Sequence, residues 1–210
     1  MKKRIAIFLN GEGLILKRAR QALNTIDIII AADGGANYCL QNEIIPHYII
    51  GDLDSIKKQG LKIPETSKLL HLSDQYSTDL EKALKLAESL EPQSLTILNA
   101  TGKRSDHAIA NLLFLQQINE RLPVEVIDNF GRLSFLKPGN HYFNLPVGQT
   151  VSFTSWCSVK ELTLSGFEYP LNRQSFEGFF VGMSNLVKET PCHVAFTEGR
   201  LIMYEVQQFE

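Results

Sequence analysis

Residues 78–99 read TDLEKALKLAESLEPQSLTILN, and how this stretch divides decides the fold. Its first half has helical spacing: Leu80, Ala83, Leu84, Leu86 and Ala87 fall on one side, while Thr78 at the start and Glu81 three residues on have the form of a capping box. Its second half, residues 94–99, is a short apolar run that reads as a strand covered on both faces. A helix passing directly into such a strand is the unit of a parallel sheet with helices packed on it.

The same alternation extends to both sides. Strands are expected at residues 4–9, 26–31, 48–50, 68–72 and 124–127, and a second helix at 108–118, with Ala110, Leu113, Phe114 and Gln117 at helical spacing. Beyond Asn129 the texture changes to short β-branched or aromatic runs separated by Gly, Pro and Asn, at 133–136, 141–145, 150–154, 159–164, 176–181, 193–197 and 201–206. The expected fold class is therefore an α/β parallel-sheet N-terminal domain, residues 1–129, followed by an all-β sandwich C-terminal domain, residues 130–210. In parallel sheets ligands bind beyond the carboxyl ends of the strands. The polar stretches NGEG (10–13), DGGAN (33–37), GDLDS (51–55), SDQYSTD (73–79) and TGKRSDH (101–107) all follow expected strands, on that edge.

Within GDLDS, Asp52 and Asp54 end an apolar run with no basic residue before Lys57. Two carboxylates on one face of a strand repel each other unless a cation lies between them. Hard oxygen ligands in a small cluster suit Mg²⁺, which takes one or two protein carboxylates along with phosphate oxygens, and Asp79 or Asp74 could supply a third. The implied ligand is a nucleoside triphosphate such as ATP. The chain has no GxxxxGK[ST], and Gly11 with Gly13 lacks the third glycine of a dinucleotide fingerprint.

Composition narrows the classes further. Of 210 residues, 44% are hydrophobic and 21% charged, with a formal charge of -2 and no long basic run, which disfavours a nucleic-acid partner. Cys39, Cys157 and Cys192 show no CxxC spacing, so structural thiols are expected. No apolar run approaches the roughly 20 residues that span a bilayer, and the start MKKRIAIFLNGEG reads as a strand, not a leader. A cytoplasmic protein with no membrane partner is expected.

The ordered set DGGAN, GDLDS, DQYSTDLEKAL, TGKRSDHAIAN, GFEYPL (166–171) and GMSN (182–185) resembles the thiamine pyrophosphokinase family over nearly the whole chain. The resemblance implies a homodimer of an α/β catalytic domain followed by a β-sandwich, with ATP and thiamine as substrates and Mg²⁺ as cofactor. It implies that Asp52, Asp54 and Asp79 hold the metal, and that Arg104 and Asp106 lie near the phosphates. Asp33, Gly34, Gly35 and Asn37 would form a nucleotide loop, with Asn10, Gln75 and Thr78 beside the substrates. Tyr169 would stack on thiamine, with Trp156 as another aromatic wall, and Ser184 and Asn185 would reach the thiamine pocket across the dimer. Tyr76 stands where the family commonly carries an acidic residue. Two alternatives stand beside this: a pyrophosphokinase for another hydroxyalkyl heterocycle such as a pterin, which the Tyr76 departure suggests, and a non-catalytic thiamine or nucleotide sensor, against which the three carboxylates speak.

Overall fold

In the first strand, β1 (Lys3–Phe8), four consecutive residues, Ile5 to Phe8, are fully buried. A strand without polar alternation must be covered on both faces. The computed structural model describes residues 2–51, 60–72 and 76–207, and the chain divides into two compact units, Met1–Asn129 and Phe130–Glu210.

In the first unit β1 pairs in parallel with β2 (Ile28–Ala32) on one side and β5 (Pro92–Leu98) on the other. Beyond β2 lie β3 (Tyr48–Gly51) and β4 (Lys68–His71), and beyond β5 lies β6 (Val124–Ile127), all parallel. The order is β4-β3-β2-β1-β5-β6. Successive crossovers thus run outward from β1 to β4, and the chain then returns to place β5 on the opposite side of β1. The connections leaving β1 and β5 lead to opposite sides of that point, the place along the carboxyl edge where parallel sheets bind ligands in a crevice.

Among the described residues the connecting helices are α1 (Leu16–Leu23), α2 (Gly34–Gln41), α3 (Asp79–Ser89) and α4 (Ser105–Ile118). The α3 helix forms as its sequence dictates. Thr78 Oγ1 accepts the Glu81 N–H at 3.2 Å, and Glu81 Oε2 accepts the Thr78 N–H at 2.8 Å, which closes the capping box. Its buried stripe is Leu80, Lys82, Ala83, Leu84 and Ala87, packed on β2 and β3. Truncating Leu80, 2% exposed, to alanine would cost about 2–5 kcal/mol. The α4 helix departs from its expected face: Leu115, Gln116 and Ile118 are buried, whereas Leu113 is 48% exposed. Its apolar residues nearly encircle the helix, so periodicity alone does not select the buried side.

The second unit is an antiparallel sandwich. One sheet is ordered β12-β9-β14-β7 and the other β11-β10-β13-β8, with strands β7 (Gly131–Leu136), β8 (Gly139–Phe143), β9 (Thr150–Ser155), β10 (Val159–Ser165), β11 (Leu171–Phe176), β12 (Phe180–Leu186), β13 (Cys192–Phe196) and β14 (Leu201–Val206). Val151, Phe153, Leu201 and Met203 point inward from the first sheet and meet Val159, Leu162 and Val194 from the second. Phe153 and Phe167 meet edge to face with centroids 5.3 Å apart. The single strand expected at 176–181 is a correction: that stretch is the junction of β11 and β12. Gly178 at φ 79° makes the turn, and the Phe179 N–H donates to the Glu177 carbonyl. The aromatic run Phe176, Phe179, Phe180 hides the glycine that reverses the chain.

Candidate functional site

The loop after β1 is tied to the end of β5. The Gly11 N–H donates to the Asn99 carbonyl at 2.7 Å and the Glu12 N–H to the Thr101 carbonyl at 2.7 Å, while Asn99 Oδ1 accepts the Leu14 N–H at 3.1 Å. Asn129 secures the far side, accepting the Ile15 N–H at 2.8 Å and donating to the Gly13 carbonyl at 3.0 Å. The Tyr38 hydroxyl donates to the Leu14 carbonyl at 2.8 Å. Burial, with a smaller contribution from Cys39, pushes the Tyr38 phenol up to about 12, so it stays a donor. The loop is therefore held rigidly where the crevice opens.

The Asp33 stretch packs against this loop from α2. A Cβ on Gly34 would lie 2.2 Å from the Asn10 side chain, and one on Gly35 would lie 2.2 Å from the Phe8 carbonyl oxygen, so only glycine allows the helix start to approach β1 this closely. Asp33 itself has φ 41°, with its N–H donated to the Ile50 carbonyl. Asn37 is buried, and its Oδ1 has no hydrogen-bond partner among the described residues.

A cleft of about 820 Å³ lies at the crevice. Asn10 and Gly11 line it from the β1 loop, Thr78, Asp79 and Lys82 from α3, and Lys103, Arg104, Asp106 and His107 from the β5 loop and the start of α4. Of the residues expected from sequence, Asn10, Thr78, Asp79, Arg104 and Asp106 are thus brought together, while Gly34 packs on the Asn10 side chain and Asp33, Gly34, Gly35 and Asn37 do not line the cleft. Asp52, Asp54 and Gln75 lie outside the described residues, as does Asp74. Tyr76 is fully exposed.

Among the described residues, three cations and two carboxylates face this space. Arg104 grips Asp106 through two bonds, Nε to Oδ1 at 3.1 Å and Nη2 to Oδ2 at 2.6 Å. These hydrogen bonds draw the Asp106 carboxyl down from 3.8 to about 2, helped by the His107 backbone N–H, and raise the Arg104 guanidinium above its ordinary value. Asp106 is therefore an anion and a poor proton acceptor. The first turn of the 14-residue α4 faces the same space, and a helix N-terminus adds positive potential that favours an anionic ligand. Lys103 Nζ donates to Asn10 Oδ1 at 3.0 Å, and Lys82 Nζ stands 3.9 Å from Asp79 Oδ1.

Sequence reasoning did not single out Lys82, Lys103 or Asn111, whose Nδ2 holds the Ala100 carbonyl at 2.9 Å. A signal for Lys82 was available, because positions three apart on a helix share a face and Asp79 was already marked. Among the described residues no three metal-ligating side chains converge. Asp79 nevertheless suits a hard cation, being a carboxylate on the cleft wall with a side chain 45% exposed.

In the second unit, Tyr169 is 64% exposed and Asn185 only 4%. Asn185 Oδ1 accepts the Tyr169 N–H at 3.0 Å and the Leu186 N–H at 3.0 Å, while its Nδ2 donates to the Tyr169 carbonyl at 2.9 Å. Its amide thus braces the loop that presents Tyr169. Ser184 occupies an irregularity in the β12–β9 pairing at φ 54°, exposed, with its N–H on Ser152 Oγ. Trp156 is 44% exposed.

Fold and cleft define the class: an α/β ligand-binding domain followed by an antiparallel sandwich that presents an aromatic side chain. The family model of the thiamin pyrophosphokinase catalytic domain matches residues 19–126, and that of the thiamin pyrophosphokinase vitamin B1 binding domain matches residues 140–201. Thiamine pyrophosphokinase of Bacillus subtilis is 30% identical over 181 residues, covering 83% of this chain and 85% of its own. Thiamin pyrophosphokinase 1 of Caenorhabditis elegans is 27% identical, covering 98% and 90%. The crystal structure of the Bacillus subtilis enzyme superimposes with a TM-score of 0.85 at 25% identity, covering 99% of this chain and 100% of that one. The chain belongs to the thiamine pyrophosphokinase family and is an enzyme of that family.

Proposed function

We propose that the enzyme transfers the pyrophosphoryl group of ATP to the hydroxyethyl oxygen of thiamine, giving thiamine diphosphate and AMP, with Mg²⁺ as cofactor. The observation that carries this reading is the cleft at the β1–β5 crevice, where Lys82, Lys103 and Arg104 surround a space large enough for a nucleotide. Asp52, Asp54 and Asp79 would hold Mg²⁺, which when bound neutralises charge on the triphosphate.

The rest of the chemistry belongs to the chain's own residues. Transfer at the β-phosphorus depends on in-line positioning and on charge stabilisation more than on covalent catalysis. Arg104 and the start of α4 offer donors to phosphate oxygens. Asp106, held ionised by Arg104, orients the guanidinium and accepts hydrogen bonds, and it does not take the acceptor's proton in the state described. A loose transition state asks little of a base, so the hydroxyl proton can leave late. Tyr169 offers an aromatic face to a cationic heterocycle, with Asn185 fixing its loop.

The homodimer belongs to the same proposal. Phe179, Val181 and Met183, at and beside the edge strand β12, are each more than half exposed, as an interface would leave them in a single chain. Sedimentation would report the dimer. Among the described residues no helix is long and apolar enough to cross a membrane.

The decisive test incubates the purified protein with ATP, Mg²⁺ and thiamine and resolves nucleotides and thiamine esters by chromatography. Thiamine diphosphate appearing in step with AMP, and only with metal, is the expected result. ADP with thiamine monophosphate, or no turnover with thiamine, overturns it. A hydroxymethyl pterin in place of thiamine gives the competing acceptor its own trial.

A further inference from the structure

Of the three cations that line the cleft among the described residues, two are exposed and already hydrogen-bonded. Arg104, 69% exposed, is held along its Nε–Nη2 edge by Asp106, and the Lys103 ammonium is bound to Asn10. Lys82 differs. Only 9% of it is exposed, it belongs to the buried stripe of α3, and it nevertheless lines the cleft. Its ammonium is 3.9 Å from Asp79 Oδ1, beyond hydrogen-bond reach.

Lys82 thus has a covered stem and lines the cleft with its ammonium too far from Asp79 for a hydrogen bond, so its donors face whatever enters. An anion supplies acceptors for them. We infer that Lys82 is a direct ligand of the phosphate chain of the nucleotide, its ammonium bonding phosphate oxygens beside Asp79; this rests on the cleft being the nucleotide site. The covered stem fixes the ammonium in place, so little side-chain entropy is lost on binding. The competing role is structural, with Lys82 serving only to offset the charge of Asp79 one helical turn away.

The experiment measures binding of inorganic tripolyphosphate by calorimetry, once in EDTA and once in Mg²⁺, for the intact chain and for Lys82→Met and Lys82→Arg. Lys82→Gln serves as a further variant should the methionine fail to fold. Removing a charged hydrogen bond should weaken binding about tenfold or more in both conditions, with partial recovery in Lys82→Arg. The KM for ATP should rise by a similar factor. Because an ion pair at 3.9 Å with a partly exposed partner contributes little, the ligand-free melting temperature should stay nearly level in Lys82→Met. Weakening confined to Mg²⁺ overturns the direct contact in favour of action through Asp79. Unchanged binding in both conditions overturns the role of Lys82 and leaves the site reading standing, whereas an intact chain that binds no tripolyphosphate in either condition overturns both.

Discussion

The two units brace a loop in the same way and display different chemistry on it. In the α/β unit the side-chain amides of Asn99 and Asn129 tie the loop after β1 to its surroundings, and the Asp79, Arg104 and Asp106 side chains are left 45–69% exposed in the cleft. In the sandwich a side-chain amide again does the bracing. Asn185 is buried with its amide bound to the Tyr169 backbone, and the exposed group is an aromatic ring. The carboxyl edge of a parallel sheet offers converging loops on which charges can be displayed. A sandwich strand offers alternating faces, and an aromatic side chain on a stiff loop gives recognition surface at small entropic cost. Charge chemistry should therefore fail when the first unit is changed, and recognition when the second is.

The largest effect tests that division directly. Asp52→Asn, Asp54→Asn and Asp79→Asn should each lower turnover by about 10²–10³-fold or more, as loss of transition-state charge stabilisation does. The melting temperature of Asp79→Asn should move little, since an exposed first-turn carboxylate contributes only about 0.3–1 kcal/mol to its helix. Thiamine diphosphate formation and thermal melting check both halves. Near-normal turnover in all three would remove the metal assignment.

Asn185→Ala comes next. It deletes acceptors for two backbone N–H groups and a donor to one carbonyl, at a cost of about 1–3 kcal/mol for each buried group left unsatisfied. Denaturant unfolding should show the loss, and the KM for thiamine should rise while kcat is largely kept. A kcat collapse at normal stability would make Asn185 a contact residue of the reaction and blur the contrast. Tyr169→Ala should be smaller still. With the ring 64% exposed, stability should hold, and losing a cation–aromatic contact of about 0.5–2 kcal/mol should raise the thiamine KM about 2–30-fold, with Tyr169→Phe near normal. An unchanged KM in Tyr169→Ala would detach thiamine recognition from this loop.

What could be read beforehand followed local rules. The capping box at Thr78 and Glu81 and the stripe Leu80, Ala83, Leu84 and Ala87 act within one turn of helix, and they appear as the sequence dictates. The continuous apolar strands marked a parallel sheet because covering both faces leaves no polar alternation. The face of α4 could not be read, since Ile109, Leu113 and Leu115 look alike until neighbours choose among them. The β11–β12 turn was masked by three phenylalanines around Gly178. Lys82 was missed because a lysine on a helix reads as a solvated residue, and only packing reveals that its stem is covered. The bonds of the Asn185 amide to the Tyr169 backbone could not be read, because a sequence motif does not say which backbone groups a side chain reaches.

The smallest effect concerns Asp106 and sharpens how the first unit divides its charges. Its carboxyl pKa is lowered in the folded chain, so the stabilisation from its pairing with Arg104 is complete above 3.8 and is lost as pH falls through about 2. From pH 4 upward this pair should change neither charge nor contribution to stability, and any acid limb in kcat/KM above pH 5 belongs to another group. Carbon NMR of the Asp106 carboxyl should show no titration above pH 4 in the intact chain. Arg104→Gln removes the first cause of the shift and should return the midpoint toward 3.8. A midpoint near 3.8 in the intact chain would mean that Arg104 releases Asp106 in solution. The carboxylate would then be free to accept the hydroxyl proton, and the two members of the pair would have to be assigned separate roles.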